Sequence, residues 1–356
     1  MARAPLRPTH ARALHSTWPQ TEGNDMSFNR FALAAVICAT ASPTIAQDQD
    51  KPVLDVYTYD SFAAEWGPGP ALKAGFEKTC GCTVSFTTAE DAISTLRKVQ
   101  LEGAATKADV VVGLDTATSG EARATGLFAL HGQTLAGLVL PWTDADFVPF
   151  DYGYFAYVYN KEKTPNPPTS FEELIALPDS FKIVIEDPRS STPGLGNVFW
   201  VAAAYGDKAP EIWKGLKPHV LTMTRGWSEA YGLFLDGQAD MVLSYTTSPA
   251  YHAIAENDEK YAYAPFSEGY VAQVEVAGLL KSSDQTELGK QFLAYLLTPE
   301  AQKIIPTTNW MYPVIDIGAD LPAAFGAPPE KVLSVDEATI AAHSRAWVDA
   351  ALAALQ

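Results

Sequence analysis

Apolar positions along this chain follow two alternating rhythms, and the alternation predicts its architecture. Residues 53–59 are rich in β-branched and aromatic side chains, a strand pattern, and 70–79 follow with Leu72 and Phe76 four apart, the spacing of one helix face. Residues 83–87 are again strand-like. Over 91–101 the apolar positions Ile93, Leu96 and Leu101 mark an amphipathic helix, and 108–114 form a continuous apolar run stopped by Asp115. Such a run fits a parallel strand covered on both faces.

The second half repeats the theme. Residues 147–159 read as extended and aromatic, 164–168 as a Pro-rich loop, and 170–177 as a short helix with Ser170 as N-cap and Glu173 three positions on. A strand at 181–186 leads into a turn-rich segment, 187–194, that opens another helix. Helix 227–235 ends at Gly237, strand 240–245 follows, 273–279 are extended, and helices are expected at 287–297 and 335–355. Strand and helix in alternation predict α/β architecture.

At 356 residues the chain suggests two domains, at about 150 residues each. The long extended segments supply the crossings, so hinge strands are expected near 147–153 and 266–276. Lobe 1 would comprise 47–148 and 275–320, lobe 2 would comprise 149–274, and 321–356 would be a C-terminal helical segment.

Charge and chain start change the picture. Lys and Arg number 25 against 42 for Asp and Glu, a formal charge of −17, which disfavours nucleic acid as a partner. No apolar run reaches the roughly 18 residues that a membrane-spanning helix requires. Residues 26–46 read as a secretory signal: Met26 opens it, Arg30 supplies positive charge, 31–41 form the apolar core, and cleavage is expected after Ala46. The 25 residues before it look like an upstream extension, with a disordered tail as the other reading. Ile37 before Cys38 is too large for a lipoprotein cleavage site, so no lipid anchor is expected. In an oxidising compartment Cys80 and Cys82 are expected to pair, Gly81 relaxing the short connection. A reactive thiol or a metal ligand is the other reading of those cysteines.

Familiar catalytic constellations are missing. There is no G-x-x-x-x-G-K-[ST] loop and no G-x-G-x-x-G after a strand. His131, His219, His252 and His343 lie scattered, without zinc-ligand spacing, so no metal is expected. The segment Gly226-Trp227-Ser228-Glu229-Ala230 approaches a nucleophile elbow but ends in alanine and sits in a helix pattern. No catalytic residue and no cofactor are assigned.

Aromatic residues are concentrated instead, with 8 Trp, 15 Tyr and 16 Phe, many beside turns and strand ends. Loops at the carboxyl ends of strands form the ligand crevice of open α/β sheets. Tyr59, Trp66, Trp227, Tyr245, Tyr251 and Trp310 are therefore candidate cage residues, suited to a cation because ring faces carry negative quadrupole. The plainer reading of any single ring is core packing. Asp115 could accept hydrogen bonds from a ligand amine or serve as a local cap. In Ser190-Ser191-Thr192-Pro193-Gly194 the proline marks a helix start with Thr192 as N-cap, a terminus that can hold an anion or simply be capped.

These residues carry a resemblance. Y-T-Y-D-S-F-A-A-E-W-G-P-G-P at 57–70, F-V-P-F-D-Y-G-Y-F-A-Y-V-Y at 147–159, D-P-R-S-S-T-P-G-L-G at 187–196, G-W-S-E-A-Y-G-L-F-L at 226–235, L-S-Y-T-T-S-P-A-Y-H at 243–252 and N-W-M-Y-P-V at 309–314 resemble the thiamine-binding proteins of bacterial ABC importers. They belong to the two-lobed periplasmic solute-binding superfamily, type II. The resemblance implies thiamine and its mono- and diphosphate as ligands, and membrane permease and ATPase subunits as partners. Tyr59, Trp66, Trp227, Tyr245, Tyr251 and Trp310 would surround the two rings. Asp115 would contact polar groups of the ring system, and Ser191 and Thr192 would meet the hydroxyethyl or phosphate end. Aromatic walls would hold the thiazolium without a full counter-charge.

Two rival functions remain in view. A binder of another cation would need clustered tyrosinates or carboxylates for ferric iron, or several carboxylates for a polyamine. A thiamine-degrading enzyme of the same architecture would need a cysteine activated by a base.

Overall fold

Twelve strands, all in one sheet, carry the architecture of the computed structural model, which describes residues 51–356. They are β1 (Val53–Tyr59), β2 (Thr83–Ala89), β3 (Val110–Asp115), β4 (Phe128–Ala129), β5 (Phe147–Asn160), β6 (Ile183–Glu186), β7 (Val220–Thr224), β8 (Met241–Tyr245), β9 (Tyr261–Tyr263), β10 (Tyr270–Leu280), β11 (Tyr312–Pro313) and β12 (Val332–Leu333). The expected secretory signal and its cleavage after Ala46 lie outside the described residues.

The main path runs β2-β1-β3-β10-β5-β8-β6-β7. β1 pairs in parallel with β2 and β3, and β6 pairs in parallel with β7 and β8. Between these two parallel groups stand β10 and β5, antiparallel to each other and to their outer neighbours β3 and β8. The two long segments expected as crossings are therefore hydrogen-bonded partners at the centre of the sheet. β3 is fully buried, as its unbroken apolar run predicts, but only its β1 side is parallel.

Helices cover the parallel groups and follow the apolar period closely. Pro68–Cys80 packs Leu72 and Phe76 inward beside β1, and Ala92–Glu102 buries Ile93, Leu96 and Val99. One core gathers Leu54, Val56, Phe62, Phe76, Phe150 and Phe292; another gathers Tyr157, Phe171, Trp200 and Phe266. Trp200 is completely buried and donates from its indole N–H to the Gly269 carbonyl at 2.8 Å, so its hydrophobic area comes without an orphaned donor. Ser170 caps its helix by accepting from the Glu173 backbone N–H at 3.0 Å. Cys80 and Cys82 form a disulfide with Cα atoms 5.2 Å apart.

One helix start differs from the sequence expectation. The helix Thr192–Tyr205 has Ser191, not Thr192, as its N-cap, and Pro193 falls one position later than assumed. Proline needs only a place in the first turn, where its missing N–H has no carbonyl to meet, so its position does not fix the cap uniquely.

Candidate functional site

The carboxyl ends of the parallel strands and the loops after them open onto one cavity of about 550 Å³. That volume suits a small molecule. Tyr59 ends β1 and Trp66 lies in the loop beyond it. Thr192 and Trp227 are the first residues of their helices, Tyr245 ends β8, Tyr251 lies in the short helix Ser248–Tyr251, and Trp310 precedes β11. All seven line the cavity. Trp66 is 53% exposed, so it forms a rim that a ligand would cover.

The rings are fixed from behind. Trp227 donates its indole N–H to Ser244 Oγ at 2.7 Å and stacks on Tyr231 with ring centroids 4.9 Å apart. The Tyr231 hydroxyl and His252 Nε2 share a hydrogen bond of 2.9 Å, and Glu256 accepts from Tyr251 at 2.9 Å while meeting His252 Nδ1 at 2.6 Å. Tyr251 stands edge-on to Trp310 at 5.2 Å. Burial pushes the His252 imidazole below its ordinary pKa, against the opposing pull of Glu256. Trp310 adopts φ +57°, the left-handed region that a bulky residue enters only when its surroundings dictate it. Gly113, at φ +98°, leaves room for the Tyr59 ring: a Cβ there would lie 2.2 Å from it.

Two candidate residues do not reach the cavity wall. Asp115 is completely buried, and its Oδ1 accepts from the Thr118 backbone N–H at 3.0 Å and from the Thr118 hydroxyl at 2.7 Å. A carboxylate at the end of a strand closes the turn after it before it can serve anything further away. Ser191 is also completely buried and donates its hydroxyl to Asp91 Oδ2 at 2.7 Å. Its neighbour Thr192 does face the cavity, with an Oγ1 that is buried and unpartnered.

Acidic residues form the part of the wall that sequence reasoning missed. Glu90, Asp91 and Glu275 line the cavity, and among the described residues no Lys, Arg or His does. Asp91 accepts from the Ala92 N–H at 2.7 Å and from the Trp227 N–H at 3.3 Å, the first residues of two helices, and from the hydroxyl of Ser191, the N-cap residue of a third. Glu275 accepts from the Tyr59 hydroxyl at 2.8 Å and from Gln273 at 3.1 Å. Asn309 donates to Asp151 Oδ2 at 2.6 Å and also contacts the Tyr59 hydroxyl at 3.2 Å. Burial raises the Asp91 carboxyl to about 6 against the opposing pull of its hydrogen bonds. Asp151 and Glu275 are pushed up by the same desolvation, Glu275 further by its acidic neighbours. No local pattern marks these acids, because the chain holds 42 Asp and Glu and only register brings a few of them here.

Among the described residues, no group of three or more His, Cys, Asp and Glu side chains is placed to hold a metal ion. Both cysteines of the disulfide lie away from the cavity wall.

Residues 57–303 match the sequence model of the family described as bacterial extracellular solute-binding protein. The thiamine-binding periplasmic proteins of Salmonella typhimurium and Escherichia coli are each 49% identical to this chain, over 86% and 84% of it and over 94% and 92% of their own lengths. A solved structure of a periplasmic thiamin binding protein superposes with a TM-score of 0.83 at 48% identity, covering 86% of this chain and 97% of its own.

Proposed function

The chain belongs to the bacterial extracellular solute-binding protein family, and from that membership we propose that it is the periplasmic component of an ABC importer for thiamine. One observation carries the reading: Tyr59, Trp66, Trp227, Tyr245, Tyr251 and Trp310, drawn from distant stretches of chain, wall a single cavity that holds acids and no bases. Thiamine is a flat aminopyrimidine joined to a permanent thiazolium cation. Desolvated ring faces stabilise such a cation by about 2 kcal/mol or more each.

In this reading the sheet works as a clamp. The described part of 47–148 together with 275–320 forms one lobe and 149–274 the other, and β5 and β10 act as the hinge between them. Closure excludes water from the rings and creates the shape that permease subunits recognise, while their ATPase subunits drive uptake. Thiamine mono- and diphosphate would direct their anionic end to Thr192, where a helix starts at the cavity wall. The protein holds the vitamin and hands it on without altering a bond.

Titration of the purified protein with thiamine, followed by tryptophan fluorescence and calorimetry, tests the proposal. Saturable one-to-one binding at submicromolar affinity is expected. Submicromolar binding of spermidine or ferric ion with none of thiamine would overturn it.

A further inference from the structure

Three carboxylates stand in a row across the middle of the sheet. Glu275 of β10 is the register partner of Asp115 on β3 and of Asp151 on β5. Both registers shift immediately beyond it, between Glu275 and Val276 on one side and between Val276 and Ala277 on the other. Bulges re-aim side chains beside functional sites, and Glu275 is the member of the row that reaches the cavity.

The row is unbalanced. Like charges directly opposite one another across strands are destabilising, and buried charges ordinarily come paired. Glu275, Asp115 and Asp151 are each at most 7% exposed, and none takes part in an ion pair among the described residues. The groups facing Glu275 are Asp115, Asp151 and Asp91, the hydroxyls of Tyr59 and Tyr245, and the amide of Gln273. None is a cation. Asp115 Oδ2 and Asp151 Oδ1 are buried without a hydrogen-bond partner. Burial and the acids on either side make Glu275, at the centre of the row, hold its proton more tightly than a free carboxyl group does, until a positive charge comes to it from the cavity.

We propose that Glu275, backed by Asp115 and Asp151, is the counter-charge for the cationic ring of the captured ligand, and that this acidic row releases a proton to solvent when the ring arrives. The inference rests on the thiamine reading given above. No bond of the ligand changes: the proton leaves a carboxyl group for the buffer, and the thiazolium replaces it as the neutralising charge. The cage then selects for flatness, and the row selects for charge.

Calorimetric titration of the whole protein with thiamine, and with the uncharged isostere in which carbon replaces the thiazolium nitrogen, separates these roles. Wild-type protein is expected to prefer thiamine by about 100-fold, and Glu275→Gln to lose about tenfold or more for thiamine while holding the isostere within about twofold. Repeating the wild-type titration in buffers of different ionisation heat should show net proton release with thiamine and none with the isostere. That measurement needs no variant, so it decides the matter even should the substitution disturb folding. Equal affinity for both ligands, or thiamine binding without proton release, would overturn the inference and leave the thiamine reading standing. Failure of the wild type to bind thiamine would overturn both.

Discussion

Asp91 accepts a 2.7 Å hydrogen bond from the hydroxyl of Ser191, one hundred residues further along the chain. The same carboxylate takes the backbone N–H of Trp227, so one acid in the loop after β2 ties down the starts of the helices Thr192–Tyr205 and Trp227–Leu235. Gly226 permits the approach, since a Cβ there would lie 2.8 Å from the Glu90 carbonyl oxygen. In the proposed clamp these bonds join opposite lobes. Asp91→Ala should therefore speed thiamine dissociation by about tenfold while changing association little, as expected for loss of a charge-assisted bond made in the closed state. Stopped-flow displacement checks this, and an unchanged dissociation rate would remove Asp91 from the closure mechanism.

Trp227 contributes both a ring face and an anchored indole N–H. Trp227→Ala should weaken thiamine binding by about 10- to 100-fold, and Trp227→Phe by only a few-fold, because the face survives when the bond to Ser244 is lost. Tyr245→Ala should resemble Trp227→Ala. Circular dichroism would establish that each variant is folded, and equal losses for Phe and Ala at position 227 would make the hydrogen bond, not the face, decisive.

Trp310 is held in the left-handed backbone region, so two substitutions separate its strain from its ring. Trp310→Gly and Trp310→Ala should both lose thiamine affinity by about tenfold or more. The glycine variant should nonetheless be the more stable by roughly 1 kcal/mol, because only glycine adopts that conformation without a steric cost. Urea unfolding of the two variants provides the comparison. Equal midpoints would mean that the surroundings no longer impose this conformation once the ring is gone.

Gly113→Ala reaches the site from behind. It forces a side chain into φ +98° and drives a Cβ into the Tyr59 ring, whose hydroxyl donates to Glu275. A stability loss of about 2 kcal/mol or more is expected. Thiamine affinity should fall even where the variant is folded, since Tyr59 must move. Native stability with unchanged affinity would show that the ring has somewhere else to go.

Much of this protein is legible in its sequence, for reasons that differ from element to element. The strand Val53–Tyr59 and the helix Trp227–Leu235 coincide with their expected ranges because their apolar periods are clean and their ends carry clear punctuation. The rings that line the cavity are legible as aromatics beside turns and strand ends. Asp91 and Glu275 are not, because their importance comes from register and from contacts 100 and 216 residues away, to Ser191 and Tyr59. Asp115 ends its strand as the sequence reading expects, but its Oδ1 is taken by a threonine three residues on and the side chain stands off the cavity wall, which no local pattern shows.

The acids also set the pH behaviour of the ligand-free protein. Burial raises Asp91 and Asp115 to about 6 and pushes Asp151, Glu186 and Glu275 upward as well. A carboxyl whose folded pKa exceeds its unfolded value holds its proton more tightly when folded, so its stabilising contribution is full below the unfolded pKa and is lost as pH rises through the folded one. For Asp91 and Asp115 the loss is complete above about pH 6, and the others extend it toward higher pH. His252 opposes the trend, since its lowered pKa favours the folded state at higher pH, but it is one group against five acids. The ligand-free protein should therefore melt at a higher temperature near about pH 5 than near about pH 8. Saturating thiamine should narrow the gap, because a bound cation stabilises the ionised row most at high pH, where the free protein is weakest. Calorimetric scans across that range decide the point. A melting temperature that rises with pH in the free protein would mean that these carboxyl groups are solvated or paired in solution in a way that their buried positions here do not provide.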